Sequence, residues 1–276
     1  MSDLGAMLLR ASLLLSAVTV AMVGCVATHG ELAPDRIAAA HGMQRRVIHS
    51  QRFEHLAYMQ GDLESAREVH LYLEGDGVPW RGRYQVSPDP TPRNPLALRL
   101  MALDPAPSVY LGRPCYFGFA TADGCNAWLW THARYGPEVV ESLVEAIERL
   151  LPPDGGRRLT LVGYSGGGVL AALVAPRLKG RVRLVTLAAN LDIDAWADRH
   201  GYSRLSASIN PADQPPIDRA ITQLHLMGSE DREVPPATIA RFIATNRGAR
   251  TQLVPGYDHR CCWIQGWPGL LDRLDD

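Results

Sequence analysis

At 276 residues with 46% hydrophobic content, the chain is long enough to bury a full core, and one α/β domain accounts for that length more simply than two. A formal net charge of -1, with no basic run or stripe, excludes nucleic acid as an expected partner. The sequence has no low-complexity tract, internal repeat or heptad pattern.

Leu8 to Val23 is an apolar stretch with Arg10 near its start, closed by Met22-Val23-Gly24-Cys25. It reads as a signal peptide over residues 1–24. Its ending resembles a bacterial lipobox, which implies that Cys25 is lipidated and becomes the mature N-terminus. Met22 stands where leucine is usual, and an ordinary cleaved signal or an uncleaved anchor are the alternatives. All three export the chain to the cell envelope. Residues 25–43 are then a tether between a membrane facing the periplasm or exterior and a domain over 44–276.

Export gives the remaining cysteines their meaning. Cys115, Cys125, Cys261 and Cys262 are an even set in an oxidising compartment, so disulfides are expected. Pairing Cys115 with Cys125 closes a short loop and is preferred; it leaves Cys261 and Cys262 free or joined to each other. Crossed pairing would tie two distant loops together. No paired C-x-x-C spacing supports a metal, and none is expected.

Taken in order, Arg45–Ser50 and His55–Gln60 are β-like runs forming an opening hairpin, and Val69–Leu73 is a third strand leading into Glu74-Gly75-Asp76-Gly77. A stretch rich in Pro and Asp follows, until Pro95 opens a short helix to Met101. Val109–Leu111 is the fourth strand, and the long loop Arg113–Tyr135 holds Trp128, Trp130 and His132. Pro137 to Leu151 is an amphipathic helix with Val139, Val140, Leu143, Ile147 and Leu150 on one stripe. Strands are then expected at Leu159–Val162, Val182–Leu187, Thr222–Met227 and Thr251–Val254, with helices at Pro236–Thr245 and Trp267–Leu274. Such alternation implies a mostly parallel sheet covered on both faces, with ligands at the carboxyl ends of the strands.

One of those ends carries Gly163-Tyr164-Ser165-Gly166-Gly167 between a β-favouring run and an Ala/Leu-rich helical pattern. G-x-S-x-G in that setting is the strand, sharp turn and helix that expose a serine hydroxyl, so Ser165 is the candidate nucleophile. A serine nucleophile needs a base, and the base an orienting acid. Of nine histidines, His259 follows the last strand in Gly256-Tyr257-Asp258-His259 and is the best placed base. His29 and His41 fall in the tether, His49 and His55 in the hairpin, His70 and His225 inside strands; His132 and His200 sit in loops. For the acid, Asp231 lies three residues beyond Gly228, at the end of the preceding strand. Glu230, Glu233, Asp192 and Asp194 are the fallbacks.

The order nucleophile, acid, histidine, with Gly-Tyr-Ser-Gly-Gly, Gly-x-x-Asp-x-x-Val-Pro and Gly-Tyr-x-His, resembles the α/β-hydrolase superfamily over nearly all of Arg45 to Asp276. The resemblance implies that Ser165 attacks, His259 acts as base and then acid, and Asp231 orients it. That superfamily usually places a His-Gly pair after its third strand, feeding a backbone N–H into an oxyanion hole; here the position holds Glu74-Gly75-Asp76-Gly77. The expected donors are the backbone N–H groups of Asp76 and Gly166. Two carboxylates there are compatible with an oxyanion only if they turn away or pair with Arg81, Arg83 or Arg113. Residues 190–218 are expected to form a small cap, and the loop with Trp128, Trp130 and His132 another wall.

The sequence therefore points to an exported, lipid-anchored serine hydrolase acting on a small-molecule ester or thioester by an acyl-enzyme route, with no cofactor. A non-catalytic envelope protein with this fold and a serine peptidase are the alternatives.

Overall fold

A computed structural model describes residues 33–82, 84–152 and 156–274. The expected signal peptide, Cys25 and the first part of the expected tether lie outside them. Among the described residues no helix is long and apolar enough to cross a membrane.

The chain opens with α1 (Ala33–Ala40) and a hairpin of β1 (Gln44–His49) and β2 (Glu54–Gln60), followed by β3 (Glu68–Leu73). A two-stranded ribbon, β4 (Trp80–Arg81) and β5 (Gln85–Val86), interrupts the Pro- and Asp-rich stretch before α2 (Leu96–Met101) and β6 (Ser108–Leu111). Then come α3 (Pro137–Leu150), β7 (Arg158–Tyr164), α4 (Gly166–Val174), β8 (Arg181–Leu187), α5 (Ile193–His200) and β9 (Thr222–Gly228). The chain finishes with α6 (Ala240–Thr245), β10 (Arg250–Val254) and α7 (Trp263–Leu271).

Eight strands form one sheet in the order β1-β2-β6-β3-β7-β8-β9-β10. β2 runs antiparallel to both its neighbours, and from β6 onward every pairing is parallel. The helices pack in two groups, α3 with α4 and α1 with α2 and α7, covering the sheet on its two faces. Burial on both faces explains why the central strands read as unbroken apolar runs: Leu71, Tyr72 and Leu73 in β3, Leu161 in β7, and Leu184 and Val185 in β8 are fully buried. Crossing from one parallel strand to the next returns the chain to the same edge, so the turns after β3, β7, β9 and β10 gather at one end of the sheet.

Two boundaries differ from the sequence reading. Residues 33–43 are not a free tether: α1 buries Pro34 and Ala38, Met43 is buried behind it, and Asp35 accepts hydrogen bonds from Tyr58 (2.6 Å) and Arg45 (3.1 Å). The folded part thus begins by Ala33 rather than at residue 44. The last helix starts at Trp263, not Trp267, because these two side chains lie one turn apart on one face and both are fully buried. Pro268 sits inside that helix rather than at its start.

Candidate active site

Ser165 occupies the turn between β7 and α4 with φ 51° and ψ -123°, a left-handed conformation that a non-glycine residue adopts only when its surroundings impose it. The neighbouring glycines impose it by proximity. A Cβ on Gly163 would lie 2.4 Å from the Gly167 carbonyl oxygen, and one on Gly167 would lie 2.2 Å from that of Leu73. No other residue fits at either position, so strand, turn and helix are pressed together and the serine side chain is left at the strand end.

His259 arrives from the turn after β10. Its Nε2 is 3.0 Å from Ser165 Oγ, and its Nδ1 is 2.9 Å from Asp231 Oδ2. Asp231 is buried after β9, and its other oxygen accepts the Val234 N–H at 2.8 Å. Because a carboxylate only accepts, Nδ1 must carry the imidazole proton, and Nε2 is left to accept from the serine hydroxyl. The two turns are stapled to each other: Gly256 N–H donates to Ser229 Oγ at 2.8 Å and Glu230 N–H to the Tyr257 carbonyl at 2.9 Å. The Tyr164 hydroxyl donates to the His259 carbonyl at 3.0 Å, tying the residue before the serine to the histidine itself.

The structure brings Ser165, His259 and Asp231 together; Glu230 and Glu233 line the cleft beside His259 without hydrogen-bonding it, and the other competitors lie elsewhere. His70 hydrogen-bonds Asp104 at 2.6 Å, and His225 lies buried against Thr186 at 2.8 Å. Asp192 is held by Arg241 and Asn210, and His132 stacks on Trp128 with ring centres 4.9 Å apart. Trp130 is buried packing, its indole donating to the Ser87 carbonyl at 3.1 Å, whereas Trp128 is half exposed.

The turn after β3 resolves the matter of its two carboxylates. Glu74 points inward: its oxygens accept the Gly75 N–H and the Ala97 N–H, both at 3.0 Å, the latter at the start of α2. Burial pushes its carboxyl up to about 7. Asp76 places its carboxylate in a cluster of Arg134 (2.9 Å), the Tyr135 hydroxyl (2.7 and 2.8 Å) and Arg113 (2.7 Å). Burial alone would raise this carboxyl, but the two guanidinium groups outweigh it and hold it below the usual carboxylate range. Arg113 is the partner anticipated from the sequence; Arg134 and Tyr135 are additional, and Arg83 lies outside the described residues. The Gly75 N–H is taken by Glu74, whereas among the described residues the N–H groups of Asp76 and Gly77 in this turn, and of Gly166 and Gly167 after the serine, have no acceptor.

Both disulfides link cysteines near in sequence: Cys115 to Cys125, as preferred, and Cys261 to Cys262, in the turn that carries His259. No cluster of three or more His, Cys, Asp or Glu among the described residues could hold a metal ion. A cleft of about 740 Å³ opens beside His259, lined by residues 229–233 and 258–260.

No family model and no curated protein matches the sequence. Solved structures do match. VinJ superposes with a TM-score of 0.60 at 12% identity, covering 84% of this chain and 98% of its own. A putative hydrolase from Agrobacterium vitis S4 gives 0.55 at 16% identity, covering 83% of this chain and 97% of its own. Puromycin hydrolase gives 0.56 at 17% identity over 83% of this chain but only 38% of its own, so the chain spans well under half of that protein. At these identities the likeness speaks for architecture, and with the sheet order and the turn after β7 it settles that the chain has the α/β-hydrolase fold.

Proposed function

We propose that the protein is a serine hydrolase that cleaves a carboxylic ester or thioester through an acyl-enzyme intermediate at the cell envelope. The observation that carries this reading is the unbroken hydrogen-bonded chain Ser165–His259–Asp231, anchored on a left-handed serine. Ser165 Oγ attacks the carbonyl carbon while His259 Nε2 takes its proton, and Asp231 stabilises the imidazolium that forms. The N–H groups of Asp76 and Gly166 receive the oxyanion. His259 then returns the proton to the leaving oxygen or sulfur, and water repeats the sequence to free the acid and restore Ser165.

Export and lipid attachment at Cys25 belong to the same proposal and are supported by the apolar stretch Leu8 to Val23 and the cysteine that closes it. A fluorophosphonate probe should label the purified protein on Ser165, and Ser165→Ala should lose both labelling and p-nitrophenyl ester turnover. Undiminished labelling of that variant, or no labelling of the wild type, would overturn the assignment, the latter favouring a non-catalytic role. Metabolic labelling with a fatty acid that persists in Cys25→Ser would refute the anchor.

A further inference from the structure

We propose that the amino end of the parallel strands, opposite the candidate active site, docks on a membrane of anionic phospholipid, with lipid phosphates received in a cavity ringed by Arg183, Arg219, Arg247 and Arg250. This goes beyond the hydrolase reading and draws on the attachment at Cys25 only for the direction from which the membrane is met.

All the parallel strands start at one end of the sheet, so the residues that open them line a single edge. Between β8 and β10 that edge carries Lys179, Arg181, Arg183, Arg219, Arg247 and Arg250. Arg183 is in register with Thr222, and Arg250 with Leu224 two residues further along β9, so both arginines sit on one face at a separation on the order of 10 Å. Arg183 also reaches Glu68 at 3.5 Å. The other five are exposed, and none has a carboxylate partner among the described residues. Asp218, next to Arg219 in sequence, turns its Oδ1 to the Ala220 N–H at 2.9 Å. In a chain whose formal net charge is -1, such an edge is a segregated positive field, complementary to a surface of phosphates.

The cavity at this edge supplies an independent sign of a ligand. It encloses about 600 Å³, and Gln223, only 6% exposed, lines it together with the four arginines. The Gln223 Oε1 faces His225 Nε2 at 3.4 Å, but its amide N–H groups have no acceptor among the described residues. A buried donor is normally paired, and a phosphate oxygen held by guanidinium groups would complete this one. The remaining lining includes Ile217, Leu224 and Leu274, apolar surface that suits the glycerol stem of a lipid better than a bare ion.

The path of the chain agrees with this direction. β1 is antiparallel to β2 and β2 to β6, so β1 also starts at the amino end, and Asp35 ties α1 to it through Arg45 at 3.1 Å. Cys25 stands eight residues before Ala33, a reach of at most about 28 Å even when fully extended. A lipid on Cys25 would therefore hold this end toward the bilayer and leave the turns bearing Ser165 and His259 facing away from it.

The test floats the full chain at low salt with vesicles of phosphatidylcholine alone and of equal parts phosphatidylglycerol and phosphatidylcholine. Any lipid on Cys25 contributes alike to both, so the ratio of the two partition coefficients reads the basic edge. The wild-type ratio should be at least about 10²-fold and fall toward one in Arg219→Gln/Arg247→Gln/Arg250→Gln, from roughly fivefold per arginine at an anionic surface. Gln223→Leu should lower it severalfold. A triple variant with the same charge change on the opposite side, Arg52→Gln/Arg93→Gln/Arg199→Gln, should keep the wild-type ratio, with circular dichroism confirming that each variant is folded. A wild-type ratio near one, or an equal fall in both triple variants, overturns the proposal, and an unchanged ratio in Gln223→Leu strikes the cavity as the phosphate receptor. Calorimetric binding of inorganic phosphate without any vesicle preference would make the cavity a site for a free ion and also overturns it. Absence of fatty-acid labelling at Cys25 strikes the anchor instead and leaves the vesicle ratio to decide this surface.

Discussion

A Cβ placed on Gly166 would lie 2.0 Å from Asp76 Oδ1 and 2.6 Å from the Tyr135 hydroxyl, so the residue after the serine and the turn after β3 meet through a carboxylate. In the proposed mechanism this contact sets the spacing between the Asp76 and Gly166 N–H groups, the two donors assigned to the oxyanion. Arg113 and Arg134 hold Asp76 from behind, and the Tyr116 hydroxyl donates to its carbonyl at 3.0 Å, which leaves the N–H as the group the turn presents.

Gly166→Ala should therefore push the Asp76 carboxylate off its position and separate the donors. We expect kcat for a p-nitrophenyl ester to fall by about 10²–10³-fold, the usual loss when one oxyanion donor is displaced, with KM little changed. Steady-state kinetics beside a circular dichroism spectrum checks this, and a folded variant with wild-type kcat would remove Asp76 and Gly166 from the oxyanion site.

Asp231→Asn should be costlier still, without altering the packing. An amide is nearly isosteric with the carboxylate and can still accept the Val234 N–H, but its NH₂ would donate toward His259 Nδ1. The imidazole proton then moves to Nε2, where it blocks acceptance from Ser165. A loss of about 10⁴-fold in kcat is expected, as for an orienting acid that sets the tautomer, with thermal stability near that of the wild type. A loss of less than tenfold would mean that another carboxylate orients the histidine.

How much of this was legible in the sequence depended on whether a feature leaves a local trace. Gly163 and Gly167 announce the turn after β7 because close backbone approach admits no other residue, and Asp231 and His259 are found by asking which polar residues follow strand ends. The hold on Asp76 leaves no such trace. Arg134 and Tyr135 lie 58 and 59 residues away in an irregular loop, and only their position just before Pro137, at the end of that loop, marks them as fixed in place. α1 gives no periodic signal because its eight residues bury only Pro34 and Ala38. The true start of α7 at Trp263 is masked in the sequence because Pro268 interrupts the helix, although Trp263, a turn before Trp267, is equally buried.

Glu74 supplies a prediction in pH. Its folded-state carboxyl, raised by burial to about 7, binds a proton in a range where the unfolded chain has released it. Its contribution therefore favours folding below about pH 4.5 and is lost as the pH rises toward 7. Relative to Glu74→Gln, the wild type should lose on the order of 3 kcal/mol between pH 4.5 and 7, from the size of that displacement. Urea unfolding of both proteins at several pH values reads the difference directly; parallel stability curves would show that Glu74 keeps an ordinary carboxyl.

The Cys115–Cys125 bond closes a span of ten residues beside Arg113, and Cys115 is itself fully buried with a left-handed φ of 68°. Opening it enlarges the conformational freedom of the unfolded chain and also releases the backbone on which Arg113 and Tyr116 face Asp76. The double variant Cys115→Ala/Cys125→Ala should lose about 2–3 kcal/mol of stability, a fall in Tm of roughly 5–10 °C for a domain of this size. It should also lose kcat, because the Asp76 carboxylate is held from that loop. A variant that keeps its Tm while losing kcat would place the bond's role in the turn alone. Loss of Tm with kcat intact at low temperature would show that Arg134 and Tyr135 hold Asp76 without help from the Arg113 side.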